Sequence, residues 1–493
     1  MSAEREIKLA AAPTFGMPDL ASLGEDLVVS TAPPERATTT YQDTADLRLA
    51  RAGVSLRFRT GEGWTVKLPG TAKGSTLSRP EITFPGGEAT LPSDARELVL
   101  GYTRTAGLST AARLRTVRNR TFIDDAAGTR LLELDDDEVS VLASGNRIAA
   151  RFRELEVELT EHTPVDLLDA VVFRLCEAGA AEQDPISKYE RALGPRAAQA
   201  PDVIEEPLPP SPTVADVVRH ALTTSVAHLI RWDPITRLDE DVEGVHQMRV
   251  AARRMRSNLR TFATYVDPEW DAALREELAW IGAVLGANRD ADVRLERLRS
   301  RALALPDPAT AVPLLEALDK ERDAAHHEVL ETLRSDRYLR LLDALVEATR
   351  FPPLTVAAEG AASNVTTAVQ GQWDSLRTRV KGNEKPPTDA ELHRVRIHAK
   401  RCRYASEALE PLVGRDARAF AAAAADLQTV LGDHNDAIVM REWLRGRAET
   451  DARSAFVAGE LAGLELAEAA ACRKTWRKTW KRLNSRREPQ RWK

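Results

Sequence analysis

The pattern of apolar and polar positions changes along the chain near residue 210. Upstream, short segments alternate polar and apolar residues with a period of two, as in SLRFR at 55–59 and WTVK at 64–67. Such alternation is typical of β-strands that bury one face and expose the other. The same pattern predicts further strands at 4–8, 114–122, 131–141 and 152–159, with turns at 61–63 and 85–87.

Downstream of residue 210, apolar positions recur every three or four residues, which is the period of an α-helix. This helical part contains an internal repeat, because HQMRVAARRMR at 246–256 matches HRVRIHAKRCR at 393–403. We therefore expect two pseudo-symmetric helical bundles, at about 213–350 and 357–493. At the same offset of 147 residues, the apolar positions Val218, Leu222, Val226 and Leu229 fall on Val365, Val369, Trp373 and Leu376.

A proline-rich segment separates the two patterns. PDVIEEPLPPSPT at 201–213 has five prolines, a composition that disfavours both helix and sheet and behaves as a semi-rigid spacer. The prediction is a multidomain α+β protein: an antiparallel β domain at 1–200, a linker at 201–212 and an all-α domain at 213–493.

Charge divides along the same boundary. Residues 1–210 contain 24 Lys and Arg against 33 Asp and Glu, whereas residues 211–493 contain 45 against 42. The chain has no run of eighteen apolar residues, its amino terminus lacks the apolar core of a secretory signal, and its three cysteines form no CxxC motif. We therefore expect a cytoplasmic protein without a membrane partner, a disulfide framework or a cysteine zinc site.

The predicted strands place charged residues on one shared face. Acidic residues concentrate on the first and last strands and basic residues on the middle ones, for example Arg57 and Arg59. A sheet with one wet face would also place charges together, but cross-strand pairing would interleave the two signs. The segregation favours an anionic ligand that carries a metal ion.

The amino-terminal sequence Glu4-Arg-Glu6-Ile-Lys8 resembles the ExExK signature of the CYTH, or triphosphate tunnel metalloenzyme, family. The resemblance implies an eight-stranded antiparallel barrel whose charged residues point into the lumen. Further matches follow in order over about 195 residues: Tyr41-Gln-Asp-Thr, Arg57-x-Arg59, Lys67, Arg79-x-Glu81, Arg118-x-Arg120, the acidic strand at Glu133 and Asp135, Glu154-x-Glu156-x-Glu158, and Ser187-Lys188-Tyr189.

This resemblance implies roles for the charged residues. Arginine and lysine would neutralise a triphosphate, and carboxylates would bind Mg²⁺ or Mn²⁺, which prefer oxygen ligands. The implied catalytic set is Lys8, Arg57, Arg59, Lys67, Arg118, Arg120 and Lys188; the implied metal ligands are Glu4, Glu6, Glu133, Asp135, Glu156 and Glu158; and Arg79, Glu81 and Glu154 would bind substrate.

In the helical half, basic residues form stripes beside the apolar stripes. Between Gly244 and Val266 there are five arginines and no acid, and between Leu392 and Ser406 there are five Lys or Arg and again no acid. A solvated charged face is the alternative, but such faces usually contain acids for pairing at i,i+4. The uncompensated charge predicts an anionic partner.

These helical repeats resemble the CHAD family, named for conserved-histidine α-helical domains. The resemblance implies a basic channel that binds inorganic polyphosphate. Lys400 stands where the first repeat has Arg253, and Asn435 where it has Arg289. The implied polyphosphate-binding set is His246, Arg249, Arg253, Arg256, His393, Arg396, Lys400 and Arg403.

The basic carboxyl-terminal segment at 472–493 leaves two interpretations open. Trp476 and Trp480 share a helical face within it, so it is either a last packing helix or an extension of the anion-binding surface.

Together these features predict a metal-dependent hydrolase of inorganic triphosphate or a related triphosphate compound. The helical half would bind polyphosphate or direct the enzyme to polyphosphate granules. Adenylate cyclase and thiamine triphosphatase activities are alternatives, as is a non-catalytic polyphosphate scaffold. Nucleic-acid binding ranks lower, because the helical half carries little net charge and has no evident aromatic stacking platform.

Overall fold

The computed structural model divides into two compact units, Met1–Asp202 and Val203–Lys493. For residues 2–4, 71–73, 76–79 and 449–450 it describes the backbone alone. The described residues are 2–24, 26–73, 76–181, 186–239, 241–383, 386–450, 454–486 and 488–492.

The first unit is built on an antiparallel sheet. Strand β1 pairs with both β10 and β7, so eight strands close into a ring in the order β1, β10, β9, β8, β3, β4, β5, β7. Short strands β2 and β6 pair with β8 and β7 outside this ring. The predicted eight-stranded antiparallel barrel is confirmed. The strands are β1 (Ser2–Ala11), β2 (Leu27–Thr31), β3 (Glu35–Asp43), β4 (Ser55–Arg59), β5 (Gly63–Lys67), β6 (Thr71–Lys73), β7 (Thr76–Phe84), β8 (Ser109–Asp125), β9 (Arg130–Leu142) and β10 (Ile148–Leu159).

A helix covers the apolar face of three ring strands. Alternate residues of β1, β9 and β10, among them Leu9, Leu134 and Leu155, pack against Leu168 and Val171 of helix α4. Each buried aliphatic side chain contributes about 1.5–3 kcal/mol to folding. Because side chains alternate along a strand, this packing directs the charged residues to the opposite face. The helices of this unit are α1 (Arg48–Arg51), α2 (Ser93–Leu98), α3 (Leu100–Thr103), α4 (Val165–Glu177) and α5 (Lys188–Leu193).

The second unit is helical, as predicted. Its two halves carry the repeat seen in the sequence: all eight apolar positions aligned by the 147-residue offset are buried, with at most 1% exposure. The repeated pattern is therefore a repeated core. The helices are α6 (Val214–Leu238), α7 (Glu243–Thr261), α8 (Pro268–Ala302), α9 (Val312–Arg334), α10 (Asp336–Arg350), α11 (Val365–Lys381), α12 (Asp389–Ala408), α13 (Glu410–Val413), α14 (Arg415–Thr450) and α15 (Ala455–Asn484).

The tryptophans of the carboxyl-terminal segment pack inside this unit. Trp476 is buried. Trp480 lies against Trp373 of α11 with 5.5 Å between ring centroids, and Trp492 lies 5.6 Å from Phe420. Of the two interpretations of this segment, the structure favours the packing helix. In the described part of the chain, no helix combines the length and apolarity needed to cross a bilayer.

Candidate catalytic cavity and basic cluster

Strand register arranges the charged residues of four neighbouring strands in rows. Lys8 of β1 pairs with Glu156 of β10, which pairs with Asp135 of β9. Asp135 in turn pairs with Arg120 of β8. The flanking rows contain Glu6, Glu158 and Glu133 on one side and Glu154, Asp137 and Arg118 on the other.

These rows face a cavity inside the ring, which we call the lumen cavity. It has a volume of about 280 Å³, and each of the eight ring strands contributes to its wall. The wall is formed mostly by charged side chains. The predicted residues that line it are Glu6, Lys8, Arg57, Arg59, Lys67, Glu81, Arg118, Arg120, Glu133, Glu156, Glu158 and Lys188.

Two predicted residues are buried within the wall, and the side chains of two others lie outside the described residues. Asp135 and Glu154 are buried in the wall with 0% and 2% exposure and do not line the cavity. The Glu154 carboxylate lies 2.8 Å from Lys188 Nζ, so Glu154 can hold the lysine in position. The side chains of Glu4 and Arg79 lie outside the described residues.

Glu156 is the centre of the acidic wall. Its carboxylate lies 2.6 Å from Lys8 Nζ, 2.7 Å from Lys188 Nζ and 3.0 Å from Arg118 Nη2. Burial opposes ionisation, yet the charges of Lys188, Lys8 and Arg118 hold the pKa of Glu156 well below its usual range. This carboxylate is therefore a permanent anion at neutral pH.

Three carboxylates converge on one point of this wall. Asp135, Glu156 and Glu158 each offer an oxygen atom, and these oxygens lie within 4.8 Å of one another. Burial raises the pKa of Asp135 to about 6, despite the opposing effect of Arg118. Converging carboxylate oxygens are the donor set of a hard divalent cation, so these residues fit Mg²⁺ or Mn²⁺.

The opposite wall is basic. Arg57 and Arg59 stand on β4 and Lys67 on β5. Glu81 lies 2.7 Å from Lys67 and 3.5 Å from Arg57. Arg59 contacts Glu62 at 3.0 Å. In the ring order β4 and β5 lie across from β10 and β9, so these cations face the converging carboxylates.

Sequence reasoning missed Asp137. It is fully buried and contacts Arg118 at 2.7 Å and Lys188 at 2.9 Å. Residues two apart share a face of a strand, so the parity that selected Glu133 and Asp135 also selects Asp137.

Residues of the matched motifs to which no role was assigned hold Lys188 in place. Lys188 begins α5, which is capped by reciprocal hydrogen bonds between Ser187 and Glu190. The adjacent Tyr189 donates its hydroxyl hydrogen to Asp43 at 2.8 Å and stacks on Tyr41 with ring centroids 4.4 Å apart. Tyr41 and Tyr189 both line the lumen cavity. The stacked rings thus fix the start of α5, where Lys188 stands.

The two basic helices of the second unit, α7 and α12, place equivalent arginines on equivalent glycines. A Cβ built on Gly286 would lie 3.7 Å from the guanidinium carbon of Arg249, and one built on Gly432 would lie 3.5 Å from Arg396 Nε. The sequence repeat therefore corresponds to a repeated contact, in which a glycine leaves room for a guanidinium to lie across the next helix.

The partners of these two arginines differ. Arg249 donates to Asp290 at 2.8 Å and to the Gly286 carbonyl at 3.3 Å. The buried Nε of Arg396 has no hydrogen-bond partner among the described residues. The expectation of uncompensated stripes is thus wrong for Arg249, because an acid from another helix supplies the partner. It is also wrong for Arg403, which donates to Glu407 at 2.7 Å.

Arg253 and Lys400 complete the group that we call the basic cluster, defined as Arg249, Arg253, Arg396 and Lys400. Arg253 donates to the hydroxyl of Tyr404 on α12 at 2.8 Å, so the cluster joins both repeats. Burial lowers the pKa of Lys400 to about 7, and the charges of Arg253, Arg396 and Arg249 act in the same direction.

The remaining predicted residues flank the basic cluster. His393 shares a hydrogen bond of 2.6 Å with Asn435, whereas burial and the charge of Arg289 lower the pKa of His246. Asn435 stands where the first repeat has Arg289. His393 therefore has a neutral hydrogen-bond partner at this position, whereas His246 has a positively charged neighbour. Arg256 lies further along α7, near Arg260.

Two family models match the chain. A CYTH domain matches residues 2–193, and a CHAD domain matches residues 220–445. Both match the order predicted from the sequence. The protein Rv2226 of Mycobacterium tuberculosis (strain H37Rv) is 31% identical over 478 residues, which are 90% of this chain and 89% of that protein.

Solved structures also overlap with parts of the chain. The CHAD domain from the plant Ricinus communis is 28% identical, with a TM-score of 0.49, over 58% of this chain and 96% of that chain. HpAC1 from Hippeastrum, a putative adenylyl cyclase with a dominant triphosphatase activity, is 20% identical, with a TM-score of 0.26, over 38% of this chain and 93% of that chain.

Proposed function

Because the chain belongs to the family of proteins in which a CYTH domain precedes a CHAD domain, we propose that its first unit hydrolyses inorganic triphosphate or a related triphosphate compound. The observation that carries the proposal is the lumen cavity, an enclosed site of a size and charge suited to a short polyanion. The cations that face it are Lys8, Arg57, Arg59, Lys67, Arg118, Arg120 and Lys188.

Charge balance supports a role for a metal ion. Among the described lining residues, seven carboxylates accompany the seven cations. A triphosphate would therefore enter a cavity with no net positive charge, and burying its charges would be unfavourable without further cations. We infer that Mg²⁺ or Mn²⁺ accompanies the substrate and binds Asp135, Glu156 and Glu158. The seven lining carboxylates are those of Glu6, Glu62, Glu81, Glu133, Glu156, Glu158 and Glu190.

In the proposed reaction, Arg57, Arg59 and Lys67 hold the phosphate groups against the basic wall. Lys8, Arg118 and Lys188 carry positive charge beside the carboxylates and stabilise the negative charge that develops on the terminal phosphoryl group. When bound, the divalent cation would supply Lewis-acid polarisation of that group. Water attacks the terminal phosphorus as its bond to the bridging oxygen breaks, which yields orthophosphate and pyrophosphate; positioning and charge stabilisation suffice for this transfer, so no covalent intermediate is required.

A phosphate-release assay tests this proposal. We expect orthophosphate from inorganic triphosphate with Mg²⁺ or Mn²⁺ and none with a chelator. Nucleoside triphosphates, thiamine triphosphate and long-chain polyphosphate serve as competing substrates. Faster turnover of thiamine triphosphate would identify the protein as a thiamine triphosphatase, and formation of cyclic AMP from ATP would identify it as an adenylate cyclase. If no compound is turned over, the proposed hydrolysis is wrong and the non-catalytic polyphosphate scaffold is favoured.

We further propose that the basic cluster of the second unit binds inorganic polyphosphate. Its support is the convergence of four cations from two helices with only two acids, Asp290 and Asp433, among the described charged neighbours that act on Lys400 and Arg396. The affinity of the full chain for long-chain polyphosphate should fall steeply with salt, because counterion release and screening both weaken charge neutralisation. Tighter binding of duplex DNA at matched salt would overturn this proposal.

A further inference from the structure

We propose that Lys400 takes up a proton when the basic cluster binds polyphosphate, so that the affinity for polyphosphate depends on pH. This inference rests on the proposed polyphosphate binding and adds a regulatory property to it. The positions of the charged groups around Lys400 carry it.

Lys400 is surrounded by cations. Arg396 lies four residues earlier on α12, which places both side chains on one face of the helix. Arg249 and Arg253 approach from α7. Lys400 itself is half-buried and has no ion-pair or hydrogen-bond partner among the described residues. A positive charge on Lys400 is therefore unfavourable in the free protein.

The acids near the cluster do not relieve this repulsion. Asp290 of α8 is the acid whose charge acts on Lys400, and its carboxylate contacts Arg249 at 2.8 Å. On α14, Asp433 lies near Arg396 and is not among the groups whose charges act most strongly on Lys400; burial and the neighbouring Asp436 raise the pKa of Asp433. Tyr404, on the same helix as Lys400, accepts a hydrogen bond from Arg253.

Burial and the charges of the three arginines lower the pKa of Lys400 to about 7, as this arrangement of cations would require. Bound phosphates would restore a high value, because an adjacent anion favours the ammonium form. Between the free and bound pKa values, binding then takes up close to one proton. The affinity is highest below pH 7 and falls as pH rises, by roughly tenfold between pH 7 and 8.5.

The other three members of the cluster cannot produce this effect. Arg249, Arg253 and Arg396 are guanidinium groups, which stay charged throughout this range. Arg253 is the equivalent of Lys400 in the first repeat. Lys400→Arg therefore restores the residue of the first repeat, keeps the charge and removes the titration.

The experiment is calorimetry of the full chain with long-chain polyphosphate between pH 6.5 and 8.5, with a chelator present to suppress hydrolysis. Each titration is repeated in two buffers of different ionisation enthalpy, which yields the number of protons taken up. Wild type, K400R and the control K320R are compared. Lys320 is an exposed lysine of α9 and changes only the chemistry of a surface cation.

We expect wild type and K320R to take up close to one proton near pH 8 and to lose affinity as pH rises. K400R should take up almost none and should bind about thirtyfold more tightly than wild type at pH 8.5. Any pH dependence shared by all three proteins belongs to the histidines near the cluster. Equal pH profiles and proton numbers in wild type and K400R would overturn the inference alone. Absence of binding at every pH would overturn the proposed polyphosphate binding as well.

Discussion

The lumen cavity and the basic cluster both bring partly buried cations together, but the two sites differ in whether those cations have acidic partners. In the cavity, Lys8, Lys188 and Arg118 each lie 2.6–3.0 Å from Glu156, so every charge of this group has a close partner. In the cluster, Arg396 and Lys400 have no ion-pair partner in the described part of the chain. The first site is balanced before its ligand arrives, whereas the second is left with excess positive charge.

The difference in charge balance indicates what kind of ligand each site can bind. A balanced cavity gains little from an anion alone, so under the proposed function we expect the anion to enter with divalent cations. An unbalanced cluster gains from any dense polyanion, so we expect the proposed polyphosphate binding to occur without a metal. Removal of one charged group should therefore have opposite effects on the folding of the two units.

The largest expected effect is the destabilisation of the first unit by Glu156→Gln. This change leaves Lys8 and Lys188 buried with weaker partners, and removing one member of a buried charge network costs about 3–5 kcal/mol. Hydrogen exchange of the β9 and β10 amides in the full chain measures this loss in the free energy of unfolding. The control Glu138→Gln changes an exposed acid of β9 and should have almost no effect. A loss below about 1 kcal/mol would show that the balance is unimportant for folding.

The next effect concerns turnover. Glu158 is one of the three converging carboxylates and is less buried than Glu156. Glu158→Gln should remove a metal ligand at nearly constant shape and lower kcat/KM for triphosphate about 100-fold, with a higher half-saturating Mg²⁺ concentration. Steady-state kinetics across Mg²⁺ concentrations measures both quantities. Unchanged metal dependence would remove Glu158 from the metal site.

A smaller effect separates the two repeats. Arg249 already contacts Asp290, whereas Arg396 has no acid partner, so Arg396→Gln should weaken polyphosphate binding about tenfold and Arg249→Gln about threefold. The control Arg394→Gln changes an exposed arginine of α12. Equal losses for the two equivalent arginines would mean that Asp290 does not modulate binding.

The smallest effect is on the folding of the second unit. Arg396→Gln relieves a like-charge pair at i,i+4 with Lys400 and should stabilise this unit by about 0.5 kcal/mol. Chemical denaturation of the full chain, with hydrogen exchange in α12 as the probe, measures the free energy of unfolding of this unit in Arg396→Gln and in the control Arg394→Gln. Destabilisation by more than about 1 kcal/mol would show that the guanidinium packed on Gly432 contributes more than its repulsion costs.

Strand parity predicted well which charged residues of the first unit face inward, because a period of two assigns every residue to a face. It placed Arg57, Arg59 and Glu156 on the face that lines the cavity. It did not predict β3, where the polar run ERATTTYQD hides the alternation. Nor could it show that Asp135 is fully buried within the wall, since the depth of a side chain depends on how the ring curves.

Helical periodicity predicted the repeated core but not the charge partners. The acids that meet Arg249 and Arg403 include Asp290, which stands on a different helix. Pairing at i,i+4 is visible in a sequence, and pairing between helices is not. The asymmetry between Arg249 and Arg396 follows from these tertiary contacts, and equivalent sequence positions therefore conceal different electrostatic states.

The closure of the strand ring has a consequence for biosynthesis. Residues 6–11 of β1 pair with residues 153–158 of β10, so the first strand of this unit cannot complete its pairing until the last strand has been synthesised. Contacts between distant parts of a chain form slowly, because a long loop must close before they are made. Until β10 emerges, β1 exposes an unpaired edge, and until α4 emerges it exposes an apolar face. Chaperone occupancy on nascent chains should therefore persist up to the emergence of residue 177 and then decline.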